Sequence, residues 1–106
     1  MAKRRIKLGV LLPTRGVLLW NKGAPELGPV ADLAVRAEEL EYDSVFAGDS
    51  ILAKPRLEAL SALSALAVRT EFIKLGTAVF LPYLRNPVFL AYQLATLDVI
   101  SDGRIT

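Results

Sequence analysis

The sequence predicts an α/β domain built on parallel strands, and three observations carry that prediction. Short apolar runs that end in Gly, Pro, Asp or Ser alternate three times with segments whose apolar residues recur at three- and four-residue spacing. Each run is apolar along most of its length, as in strands covered on both faces. Hydrophobic residues make up 53% of the chain against 23% charged, which sets it apart from disordered polypeptides. A closed eight-stranded barrel needs about 250 residues, so 106 residues can hold only part of one. Open parallel sheets and barrel segments share this local signature, and periodicity does not choose between them.

Ile6 to Leu12 is a β-rich run closed by Pro13, Thr14, Arg15 and Gly16, and Pro13 also pushes Leu12 toward extended backbone. Val17 to Gly28, with Trp20, Asn21, Lys22, Gly23 and Pro25, keeps no period and reads as a loop with room for a helical turn. It is longer than the roughly two to six residues usual between strand and helix, as a ligand-covering loop would be; a plain surface loop is the competing reading. Pro29 suits a first helical position, and Val30, Leu33, Ala34, Ala37 and Leu40 make one apolar face. After a turn at Glu41, Tyr42 to Ala47 forms a second strand, stopped by Gly48, Asp49 and Ser50.

The next helix is expected to begin between Pro55 and Glu58, to turn Leu60, Leu63, Leu66 and Ala67 inward, and to end near Arg69, a favourable charge at a helix C-terminus. Phe72 to Val79 is the third strand, with Gly76 at either a bulge or a point of close backbone approach. Leu81 to Asn86 is a loop. Asn86 can cap, and Pro87 can open, a helix whose apolar residues are Leu90, Ala91, Leu94 and Leu97. Ser101, Asp102 and Gly103 turn the chain, and Arg104 to Thr106 start a fourth strand.

Charge and composition exclude several functions. Lys3, Arg4, Arg5 and Lys7 form a basic arm; from residue 8 onward nine basic residues meet eleven acidic ones, so no nucleic-acid-binding face is expected. With neither Cys nor His, thiolate and imidazole metal sites and an ordinary serine triad are missing. No Gly-rich dinucleotide fingerprint follows the first strand. The apolar run after Lys7 is too short for a secretory signal, and no stretch approaches the roughly 18 apolar residues of a membrane span. A soluble, cytoplasmic protein without membrane partners is expected.

Gly48, Asp49 and Ser50 after Tyr42 to Phe46, then Arg69, Thr70 and Glu71, then Leu75 to Val79 with Pro82, Arg85, Asn86 and Pro87, and finally Gln93 to Asp98 before Gly103 and Arg104, resemble the luciferase-like monooxygenase family. The likeness is greatest to the branch that uses a deazaflavin coenzyme, factor 420, instead of flavin mononucleotide (FMN). Members are (β/α)8 TIM barrels, so the resemblance implies that residues 1–106 are an N-terminal portion of such a domain: a partial barrel of three β–α units and the start of strand four. It also implies a flavin- or deazaflavin-dependent oxidoreductase or monooxygenase acting on a small-molecule substrate. The phosphate tail of the cofactor would be held largely by later barrel loops, so this portion alone is expected to be inactive and to bind no cofactor tightly. Its open strand edges would favour self-association. The alternative is a stand-alone α/β binding or assembly module without redox activity.

The resemblance assigns the candidate site residues. Asp49, just beyond strand two, stands where a carboxylate can orient a substrate hydroxyl or accept a proton if an enclosed site raises its pKa; a turn or helix-capping Asp is the plainer reading. Gly76, Thr77, Ala78 and Val79 match the segment beside the cofactor ring, where some members have a non-proline cis peptide. Arg85 can pair with a carboxylate or an anionic cofactor group, and Asn86 follows it as a rim residue or a helix cap. Thr14, Trp20 and Ser50 complete the substrate or rim set, packing being the plainer reading of Trp20. One departure concerns Glu41, where members often have Gly, suited to a left-handed helix end.

Overall fold

The computed structural model describes residues 5–20 and 22–106, so Lys3 and Arg4 of the basic arm and Asn21 of the long loop lie outside the described residues. Three strands, β1 (Gly9–Leu11), β2 (Ser44–Ala47) and β3 (Lys74–Thr77), pair in parallel in the order β1-β2-β3. Val10 lies opposite Val45, and Val45 opposite Leu75. Ile105 adds a single parallel bridge to Leu75, the opening of the fourth strand.

All three strands are shorter than the apolar runs that announce them. At the head of β1 the pairing continues in altered form: the Asp43 N–H donates to the Leu8 carbonyl, while the Leu8 N–H donates to Asp43 Oδ2, each at 2.8 Å. A carboxylate there takes the place of a ladder carbonyl. Phe72 and Val79, at the two ends of the third run, are exposed instead of paired. Gly76 stands opposite Phe46 in unbroken register, so the bulge is ruled out. Close approach is what the structure gives: a Cβ on Gly76 would stand 2.8 Å from Phe46 Cε1 and 3.0 Å from the backbone oxygen of Thr106, and one on Gly9 would stand 2.5 Å from Cε2 of the same ring.

Among the described residues, four α-helices follow the strands. The predicted loop contains the one-turn helix α1 (Gly16–Leu19). Helix α2 (Gly28–Glu39) carries Pro29 in its first turn, as its missing N–H allows. Helix α3 (Ala59–Arg69) is capped by Glu58, whose carboxylate accepts from the Leu60 and Ser61 N–H groups. Asn86 Oδ1 caps α4 (Pro87–Ser101) by accepting from Val88 and Phe89. A single 3₁₀ turn, Pro82–Leu84, lies in the preceding loop. Among the described residues no helix is long and apolar enough to cross a membrane.

The core lies between one face of the sheet and the helices. Val45 and Leu75, both fully buried, pack with Val30, Ala34 and Ala37 of α2, Leu63 and Leu66 of α3, and Leu97 of α4. The second face has no such cover among the described residues, as expected of a barrel segment whose apolar strands this chain alone cannot cover: Leu11 on it is 62% exposed, and Phe46 is half-buried. Helix α2 meets the core through Val30, Ala31, Ala34 and Ala37, so Leu33 and Leu40 of its predicted apolar face remain exposed. Ala91 of α4 is likewise exposed. Helices on the outside and a bare inner face are the arrangement of an unclosed (β/α) barrel.

Candidate functional site

Parallel strands deliver their C-terminal ends to one side of the sheet, and the segments that follow β1, β2 and β3 converge there. Asp49, after β2, meets Arg85, which follows β3 and the 3₁₀ turn. The Arg85 guanidinium grips the carboxylate at both oxygens, Nη1 to Oδ2 at 2.7 Å and Nη2 to Oδ1 at 2.8 Å. The Leu81 N–H donates a third bond to Oδ2 at 2.9 Å. Arg85 Nη2 also reaches Glu58 Oε1 at 2.9 Å, and its guanidinium lies 4.5 Å from the centre of the Phe80 ring.

These contacts set the protonation of the site. Burial alone would raise the Asp49 carboxyl, but the hydrogen bonds from Arg85 and Leu81 and the charges of Arg85 and Arg56 outweigh it and hold the group below its ordinary value. The raised pKa that a proton-accepting Asp49 calls for is therefore not what the structure gives. Glu58 is likewise lowered, burial being overcome by the amides of α3 and by Arg85. The Asp49 hydrogen bonds raise Arg85 against the opposing effect of its burial. Asp49 acts here as a fixed anion that holds the loop after β3 against the loop after β2.

Beside this pair lies a pocket of about 220 Å³, bounded by Arg15, Asp49, Ser50, Arg56, Ala78 and Val79. Arg15 Nη2 donates to the Ser50 hydroxyl at 2.9 Å. The Arg56 guanidinium covers Gly48, occupying the place a Cβ would take. Thr14 is fully buried beyond the end of β1, and its hydroxyl finds no hydrogen-bond partner among the described residues.

The structure thus brings Thr14, Asp49, Ser50, Ala78, Val79 and Arg85 to the strand ends. Thr77 pairs with Ala47 just below them, and the Ala78–Val79 peptide is cis. Gly76 lies deeper, its open side filled by Phe46. Asn86 spends its side-chain oxygen on the helix cap. Trp20 is 76% exposed beside Gly16 and lines a separate apolar groove with Pro13, Val17 and Pro29, so it neither packs into the core nor joins the strand-end pocket. Sequence reasoning missed Arg15, Arg56 and Glu58. Their signal was positional: each lies in, or at the end of, a segment that follows a strand in a parallel β–α alternation.

The fold and the site define a class, the α/β barrel proteins that gather polar groups at the C-terminal ends of their strands. Residues 6–106 match the model of the luciferase-like monooxygenase family, and the chain belongs to that family. It is 39% identical over 94 residues to an F420-dependent glucose-6-phosphate dehydrogenase of Intrasporangium calvum, an alignment that covers 81% of this chain and 28% of the relative. Among solved structures, the coenzyme F420 dependent tetrahydromethanopterin reductase of Methanopyrus kandleri superposes with a TM-score of 0.76 at 27% identity, over 96% of this chain and 26% of that one. The monooxygenase RslO1 of Streptomyces bottropensis gives 0.74 at 29% identity, over 94% and 31%. The chain therefore spans about 28% of the length of the curated relatives it matches.

Proposed function

We propose that residues 1–106 are the N-terminal arc of a flavin- or deazaflavin-dependent oxidoreductase or monooxygenase, and that the strand-end pocket is its share of the active-site mouth. The observation that carries this reading is the pocket itself: family membership predicts function at the strand ends, and a cluster of polar groups, buried Asp49 with half-buried Arg15, Ser50 and Arg56, lies there. The residues present fit a flat redox ring. Ala78 and Val79 line the pocket, with Gly76 and Thr77 before them in the chain, and the guanidinium groups of Arg15 and Arg56, whose Nε atoms have no hydrogen-bond partner among the described residues, offer donors to a polar rim. When bound, such a ring supplies hydride transfer or oxygen activation. The chain's own part is to orient: the Asp49–Arg85 pair fixes the relative position of the second and third loops, and Ser50 and Arg15 line the approach.

The arc alone is inactive in this reading, because three strands and one bridge leave the ring without an opposite wall. The reading includes a small-molecule substrate, a cytoplasmic location and self-association through exposed strand edges. Titration of FMN and of the deazaflavin, followed by fluorescence, tests it on two proteins: the 106-residue chain, and a barrel in which this chain replaces the matching segment of the Intrasporangium calvum enzyme. Binding by the hybrid barrel but not by the chain alone is expected. A hybrid that is folded by circular dichroism and binds neither cofactor overturns the assignment; turnover by the chain alone overturns its inactivity.

A second reading, a stand-alone binding or assembly module, is favoured by one observation. The core is continuous and contains fully buried Val45, Leu66 and Leu75 without further strands. A monodisperse, cooperatively unfolding 106-residue species supports it.

A further inference from the structure

The strand ends carry positive charge that no described group neutralises. Three guanidinium groups, Arg15, Arg56 and Arg85, meet two carboxylates, Asp49 and Glu58. Both carboxylates are already engaged. Asp49 gives both oxygens to Arg85 and accepts from Leu81, while Glu58 serves Arg85 and the first amides of α3. Arg15 has one hydrogen bond, to the Ser50 hydroxyl, and Arg56 has none among the described residues. The Nε of each is buried and unpaired.

Such an arrangement is costly by itself. A buried donor without an acceptor is destabilising relative to a paired one. Burial and the neighbouring charge of Arg15 both weaken the hold of Arg56 on its proton, and only the charge of Asp49 opposes them. A fork of N–H donors is satisfied best by the two oxygens of a carboxylate or a phosphoryl group. The placement is also built into the chain: Arg56 rests where only a glycine leaves room, and Ser50 holds Arg15.

Resting on the reading of the strand ends as a ligand-binding mouth, we propose that Arg15 and Arg56 form a receptor for an oxyanion, a carboxylate or phosphoryl group of the bound molecule. That oxyanion can belong to the substrate or to the tail of the cofactor; the site recognises the chemistry the two share.

The test is titration of the 106-residue chain with inorganic phosphate and with acetate, observed at the arginine Nε–H resonances, with chloride at matched ionic strength as control. Saturable shifts of Arg15 and Arg56 are expected with either oxyanion. Arg36 and Arg69, paired at the surface with Glu39 and Asp32, should not move. Gly48→Ala keeps every charge but takes the space of the Arg56 guanidinium, and should weaken phosphate binding about tenfold or more, a difference of about 1.4 kcal/mol. Absence of saturable shifts, an equal response to chloride, or unchanged affinity in Gly48→Ala overturns the proposal. In the hybrid barrel, displacement of phosphate by FMN but not by riboflavin assigns the oxyanion to the cofactor, and displacement by neither assigns it to the substrate. Phosphate binding by a hybrid that takes no cofactor would defeat the functional reading while leaving this site standing. Cofactor binding with silent Arg15 and Arg56 resonances would do the reverse.

Discussion

Glu41 has φ 61°, in the left-handed region, immediately after α2. Its N–H donates to the Glu38 carbonyl, and the Tyr42 N–H donates to the Ala37 carbonyl, each at 3.0 Å, the two bonds of a Schellman helix end. A side chain in this conformation costs about 1–2 kcal/mol, part of which glycine returns through its greater freedom in the unfolded chain. Glu41→Gly is therefore expected to stabilise the fold by about 0.5–1 kcal/mol, read as a higher midpoint in urea. The bond from Arg5 to the Glu41 carbonyl survives the change because it belongs to the backbone. Asp49 supports a second expectation. Its carboxyl, like that of Glu58, is lowered in the fold, so its contribution is complete above the unfolded value near 4 and is lost as pH falls through the lower folded value. Thermal midpoints should drop below about pH 4, and Asp49→Asn should flatten that part of the profile. At this scale the sequence was informative where the backbone dictates the residue, as at Glu41 and Asn86. It was silent where a partner comes from a distant segment: nothing in the sequence ties Asp49 to Arg85, or brings Arg15 beside Arg56.

Helices with explicit caps were the most legible elements. Glu58 starts α3 within the predicted window, and Asn86 with Pro87 starts α4 at the predicted residue. Helix α1 was legible only as room for a helical turn within a loop, because one turn is too short to show a period. Strand ends were overextended because Ile6, Phe72 and Val79 are apolar yet exposed, and an apolar residue by itself does not report pairing. Arg104 shows how elements are tied together. It is 8% exposed, and its guanidinium donates to the carbonyls of Ser101, Ala67, Thr70 and Ile73 and to Thr70 Oγ1. The C-terminal ends of α3 and α4 are thereby held to the start of the fourth strand. Arg104→Lys replaces a planar fork by a point charge and strands several of these acceptors. A loss of about 2–3 kcal/mol is expected, with earlier hydrogen exchange in the last turn of α3.

The molecule as a whole exposes more surface than its mass requires. Its accessible area is 7297 Å², against roughly 5800 Å² for a closed globular chain of this size. Its radius of gyration, 14.3 Å, exceeds the roughly 13 Å of a compact domain. Large apolar side chains contribute to the excess. Leu11 lies on the bare sheet face, and Val88, Phe89, Tyr92 and Val99 project from α4, a helix that is apolar on most sides. Light scattering is expected to show a mass that rises with concentration, and the pair Phe89→Lys and Tyr92→Lys should reduce it; a monomer at every concentration would contradict this. The choice between an open sheet and a barrel arc was legible only through the family resemblance. Strand periodicity describes each face locally, whereas one-sided coverage is a property of the assembled sheet.

The ring of Phe46, held between Gly9 and Gly76, makes three positions on three different strands mutate as a set. Ala at either glycine meets aromatic carbon, so Gly76→Ala should be harmful in the parental background and less so once Phe46→Leu has shortened its neighbour, the contact with the Thr106 carbonyl remaining. Such epistasis can be scored in a pairwise mutational library, and simple additivity between the two substitutions would show that the ring yields without help.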